Sequence, residues 1–175
     1  MQGCMSSMIG NQPVKLCVGL QQLKEEHPPL LDMLETLLNI SENVETFENS
    51  EKEFNQLIQS VNEFILGLDP HSEREEGVLF PMMAAYIGKE MGPIAVMEYE
   101  HDQAKSLIGE FIKQTKKDIK FTREEQIKLA SLIKQANYIL VEHFSKEENV
   151  LFPMAESMLS EEEKEELLTK INVIR

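Results

Sequence analysis

His71-Ser-Glu-Arg-Glu-Glu-Gly-Val-Leu-Phe-Pro81 and His143-Phe-Ser-Lys-Glu-Glu-Asn-Val-Leu-Phe-Pro153 stand 72 positions apart and share seven of eleven residues. Each is the continuation of an apolar stripe with helical spacing. Phe54, Leu57, Ile58, Val61, Ile65 and Leu68 run into His71, Glu75 and Leu79, and Leu129, Leu132, Ile133, Ala136 and Leu140 run into His143, Glu147 and Leu151. On a helix, residues four apart lie one above the other on the same face, so each motif sets an imidazole over a carboxylate on the side that faces a core. A weaker echo pairs Glu26-His27 with Glu100-His101, 74 residues apart, so the order His, His-x-x-x-Glu, His, His-x-x-x-Glu uses all four histidines.

Working outward, the remaining segments also read as helix. Residues 1–13 lack a helical period and read as a loose arm, leaving 14–175 as one domain. A short helical stretch is expected over 14–26. His27-Pro-Pro29 then opens a first long helix, because proline suits a first turn and disfavours helix in the residue before it. That helix carries Leu30, Leu31, Leu34, Leu37 and Leu38. A second begins near Ser50, with Pro70 expected to kink it or remove one of its hydrogen bonds just before His71. Gly92-Pro93 opens a third, which carries Ile94, Met97, His101, Ala104, Ile108 and Phe111. Thr122-Arg-Glu-Glu125 is a capping box that starts a fourth, and Ser160-Glu-Glu-Glu163 another that starts a short last helix. Long amphipathic helices joined by short connections give an all-α, up-down-up-down four-helix bundle with a short extra C-terminal helix. In that topology the starts of the first and third helices and the ends of the second and fourth share one end. The four histidines and two glutamates should converge there.

Composition sets limits on function. With 175 residues, 42% hydrophobic, no Trp and an abundance of helix formers, the chain can bury a core without disulfides. A formal charge of −14 argues against nucleic acid or anionic lipid as partner, since like charges repel. No apolar run reaches membrane-spanning length, and the start has neither the basic residues nor the apolar stretch of a secretory signal, so a cytoplasmic protein is expected. Cys4 and Cys17 form no C-x-x-C pair and read as free thiols.

The chemistry rests on His27, His71, Glu75, His101, His143 and Glu147. A carboxylate buried without compensation costs several kcal/mol. No Lys or Arg shares the two stripes with Glu75 and Glu147, so a bound cation is the natural counterweight. Four imidazoles and two carboxylates exceed the needs of one structural zinc, and calcium or magnesium would call for oxygen ligands throughout. Two first-row ions bridged by the carboxylates use the whole set. Iron suits it best, with manganese or a mixed pair next. Glu26 and Glu100, each beside a histidine, are candidates to hydrogen-bond an imidazole or relay protons. Glu76, Glu148, Asp102 and Tyr99 also adjoin ligands, but neighbouring helix positions point about 100° apart and read as surface or supporting groups.

Over roughly residues 20 to 155 these motifs resemble the hemerythrin-like, or HHE cation-binding, domain family. The stretch Gly92-Pro-Ile-Ala-Val-Met-Glu-Tyr-Glu-His-Asp-Gln-Ala104 and the two Val-Leu-Phe-Pro motifs are most similar to its di-iron proteins for repair of iron centres. That resemblance implies His27, His71, His101 and His143 as terminal ligands, and Glu75 and Glu147 as bridging carboxylates of two irons. It implies a role in nitrosative or oxidative stress or iron–sulfur cluster repair, with NO or O2 as small ligand and an apo iron–sulfur protein as partner. Reversible oxygen carriers of the family use a fifth histidine, which is missing here. Repair proteins often add an N-terminal domain with adjacent cysteines; the residues before the match are too few for it, and Cys4 and Cys17 are not adjacent. A sensing or iron-storage module without catalysis is the alternative, and whether the chain is an enzyme stays open.

Overall fold

The computed structural model describes residues 14–117 and 119–175. The expected arm over 1–13, and Cys4 with it, lies outside the described residues. Among those described there are helices and no strands: α1 (Val18–Thr46), α2 (Glu51–Arg74), α3 (Phe80–Ile87), α4 (Pro93–Thr115), α5 (Arg123–Lys146), α6 (Phe152–Met158) and α7 (Glu161–Ile171). Helices α1 and α2 pack together, α4 and α5 pack together, and α1 against α5 and α2 against α4 close the bundle. No helix among the described residues is long and apolar enough to cross a membrane.

Local chemistry explains most helix starts. Thr122 and Ser160 each accept the N–H of the glutamate three residues on, and that glutamate reaches back to the cap. Gly92, at φ 86°, turns the chain into α4, whose first residue is Pro93. Gly88, at φ 73°, closes α3 in the same left-handed region.

One expectation about the prolines is corrected. The stretch from Val18 runs through Pro28 and Pro29 as one helix, so His27 sits inside α1 rather than in a first turn. Both prolines are exposed while Leu23, His27 and Leu30 are buried, so the carbonyls that lose their donors face water and the buried stripe holds the helix together. Pro70 lies inside a continuous α2 and removes one of its hydrogen bonds. Its missing N–H would have gone to the carbonyl of Leu66, on the solvent side of the helix. The chain also stays helical through Pro81 and Pro153. Both are preceded by a π turn, Glu75–Leu79 and Glu147–Leu151, after which α3 and α6 carry the chain on. In each turn the closing Phe N–H reaches back five residues, Phe80 to Glu75 and Phe152 to Glu147. The extra residue moves the proline ring off the carbonyl it would strike in a regular helix.

The consequence is a site in the middle of the apolar interior, not at the open end of a bundle. On one side lies the bundle core, including Leu34, Leu57, Phe64, Phe111 and Ile133. On the other lies a second cluster made by the start of α1, the two π turns and α3, α4, α6 and α7, including Leu20, Leu23, Phe80, Met83, Phe152 and Leu167.

Candidate metal centre

The histidines come from four helices and the two carboxylates from the two π turns. His27 is on α1, His71 on α2, His101 on α4 and His143 on α5, and Glu75 and Glu147 open the turns that follow α2 and α5. All six are at most 3% exposed. They form two overlapping sets, His27, His71, Glu75 and Glu147, and His101, His143, Glu75 and Glu147, each with one donor atom per residue within 4.8 Å of the others.

The carboxylates straddle the two sets. One Glu75 oxygen lies 3.5 Å from His71 Nε2 and the other 3.5 Å from His101 Nε2. One Glu147 oxygen lies 3.3 Å from His27 Nε2 and the other 3.0 Å from His143 Nε2. Each carboxylate therefore offers one oxygen to each histidine pair.

On the outer side, every ring donates from Nδ1 to a glutamate of another element. His27 meets Glu148 at 2.9 Å, His71 meets Glu26 at 2.8 Å, His101 meets Glu76 at 2.5 Å and His143 meets Glu100 at 3.1 Å. An ionised carboxylate only accepts, so each ring carries its proton on Nδ1 and turns the Nε2 lone pair inward. Each glutamate in turn pairs with a cation: Glu148 with Lys24, Glu26 with Arg74, Glu76 with Lys105 and Glu100 with Lys146. Glu26 and Glu100 were anticipated from sequence. Glu76 and Glu148 were named from sequence only as surface or supporting groups, although the doubled Glu-Glu in both repeats was a signal for more.

These donors fit metal ions better than they fit one another. Among the described residues, His27 Nε2, His71 Nε2 and all four oxygens of Glu75 and Glu147 are buried with no hydrogen-bond partner. Buried polar atoms are normally satisfied, so six orphans in one place need a common explanation. His101 Nε2 and His143 Nε2 face each other at 2.7 Å. With both Nδ1 protons committed outward, two lone pairs meet there, which a cation between them would turn from repulsion to attraction.

Electrostatics agree. Burial, followed by the neighbouring Glu147 charge, drives the Glu75 carboxyl well above the usual range. Burial opposes ionisation of Glu147 too, but the closeness of the His143 and His27 imidazoles to its two oxygens holds Glu147 low. The bond from His101, with Lys105 assisting, brings Glu76 down to about 2. Burial lowers His71 despite Glu26, which keeps its ring neutral and able to ligate. Cys17, half-buried with its backbone N–H on Glu156, belongs to neither set.

Aromatic rings back the site. Phe144 stacks on His27 at 4.4 Å and stands edge-on to His71 at 5.6 Å, Phe152 also stacks on His27, and Phe80 lies 5.5 Å from His101.

Comparison with known proteins identifies the family. Residues 18–155 match the Hemerythrin HHE cation binding domain. Over 92 residues, 50% of this chain, there is 41% identity to the iron-sulfur cluster repair protein YtfE of Escherichia coli O1:K1 / APEC, and the same identity to that of Escherichia fergusonii. The matched stretch is 41% of the length of each, so this chain spans less than half of these curated relatives.

Proposed function

Because this chain belongs to the hemerythrin HHE cation binding domain family, we propose that it is a non-haem di-iron protein acting in iron–sulfur cluster repair under nitrosative or oxidative stress. His27 and His71 would ligate one ion, His101 and His143 the other, and Glu75 and Glu147 would bridge them. The observation that carries this is the sharing of both buried carboxylates between two histidine pairs, one oxygen to each. Two nitrogens and two oxygens per ion suit first-row metals, and iron is the one that the relatives' printed name points to.

Bound iron would supply one-electron chemistry and open positions for a diatomic ligand such as NO or O2. The chain's own part is positional. The four Nδ1 bonds fix tautomer and ring orientation, which raises ligand basicity and holds each Nε2 ready. The two apolar clusters exclude bulk water, so charges at the site interact strongly. Three of the outer glutamates, with Lys24, Lys105 and Lys146, keep compensating charge near the surface, within reach of an approaching protein. The partner in this reading is an apo or damaged iron–sulfur protein.

The test is transfer. Iron-loaded protein should restore the cluster of an iron–sulfur protein damaged by nitric oxide, and Glu147→Ala should abolish both iron content and restoration, while Glu161→Ala on the exposed face of α7 changes neither. Full iron content with no restoration would leave a sensing or storage module instead.

A further inference from the structure

The two halves of the site repeat each other closely, which makes their departures from symmetry informative. Glu26 and Glu100 each precede a histidine of one helix and accept from the histidine of the next, His71 and His143. Three residues after each of those histidines comes the cation that pairs with the glutamate, Arg74 in one half and Lys146 in the other. Here the halves diverge. Lys146 is 42% exposed and its ammonium pairs with Glu100 at the surface. Arg74 is only 17% exposed and each nitrogen of its guanidinium is engaged: Nη1 donates to Glu26 at 3.2 Å, Nε to the carbonyl of Ile171 at 3.2 Å and Nη2 to the carbonyl of Ile174 at 2.8 Å. Those two carbonyls belong to the end of α7 and the residues after it, beyond the stretch that matches the family.

A second asymmetry falls on the same half. Phe144, directly after His143, packs on His27 and His71, whereas the repeat-related position after His71 is Ser72. The His27 ring is thus stacked against closely aligned aromatic rings and His71 meets Phe144 edge-on, whereas His101 and His143 have only tilted neighbours, Phe80 at 5.5 Å and Phe144 at 5.9 Å. On that other side His101 is held by Glu76, whose cation Lys105 is also 42% exposed. Glu76 and Lys105 line a surface depression with Asp69, Glu73 and Gly77.

We propose that Arg74 is a positioning residue that lets the end of α7 lock His71, so that the His27–His71 half of the site retains its ion while the His101–His143 half exchanges. The inference rests on the two-iron reading above. For an ion to leave, its imidazoles must swing out, and each ring is restrained by its glutamate. A glutamate held by a solvent-exposed lysine is released at little cost, since such pairs are weak and screened. A glutamate held by a planar guanidinium whose other nitrogens are tied to two backbone carbonyls cannot turn without breaking the whole fork. The Lys24–Glu148 pair on the retained half is of the weak kind, so the difference lies in Arg74 and in the Phe144 stacking.

The experiment is iron release from the full loaded chain into excess ferrous chelator, followed by absorbance, with iron per chain measured beforehand. The wild type should release iron in two phases of equal amplitude, separated in rate by about tenfold or more, the range in which partners of metal ligands act. Arg74→Lys keeps the charge but loses the fork, and should bring the slow phase towards the fast one. Lys146→Met should quicken only the fast phase. A single phase in a protein that binds two irons would overturn the inference and leave the two-iron reading intact, as would Arg74→Lys accelerating both phases alike, the mark of general loosening. A wild type that binds no iron would overturn the reading itself.

Discussion

The residue that carries the most tension in this fold is Glu75. It is fully buried, its oxygens have no hydrogen-bond partner, and a second carboxylate stands beside it. In metal-free protein the group lowers its cost by holding a proton, and its folded pKa is raised first by burial and then by Glu147. The sign follows from linkage. Stability from a raised folded pKa is complete below the unfolded carboxylate range and is lost as pH rises through the folded value. Metal-free protein should therefore melt at lower temperature as pH rises towards neutrality, and Glu75→Gln should flatten that slope and stabilise the metal-free chain near neutral pH by roughly 1–4 kcal/mol. Thermal melts of chelator-treated wild type and variant across pH check this; parallel curves would mean that Glu75 is compensated without metal. At this scale the six candidate ligands were legible because a repeat displayed them twice. Their supporting glutamates were half legible. Sequence adjacency marked Glu26 and Glu100, but the partner of each is the histidine of the following helix, and Glu76 and Glu148 reach across to His101 and His27, contacts that no spacing along one helix encodes.

At the scale of elements, the π turns matter most. A regular helix through Pro81 or Pro153 would lose a hydrogen bond and gain a clash. The extra residue in each turn resolves the conflict, and both bridging candidates are the first residues of those turns. The capping boxes were legible because their chemistry is local, and the continuity of α1 through Pro28 and Pro29 was not, because it depends on burial of Leu20 and Leu23 against elements far along the chain. Helix ends distant from the site should therefore be separable from it. Thr122→Ala removes the cap of α5 and should cost about 1 kcal/mol, or about 2–4 °C in melting temperature, with metal content unchanged. Calorimetry with metal analysis on the same samples checks it, and loss of metal alongside stability would mean that the bundle transmits strain from the cap to the site.

For the whole molecule, the fold class and the convergence of ligands followed from helical periodicity and topology, while the depth of the site did not. The bundle was expected to end at the ligands; instead α3, α6, α7 and the start of α1 cap it with a second apolar cluster. That enclosure is what turns six polar side chains into a demand for cations, since all six are at most 3% exposed to bulk solvent. The most direct test of the account is metal content per chain, measured on protein expressed with iron available and purified without chelators. The account predicts two irons per chain in the wild type and none in Glu147→Ala; zinc alone, or no metal after reconstitution with iron, would contradict it.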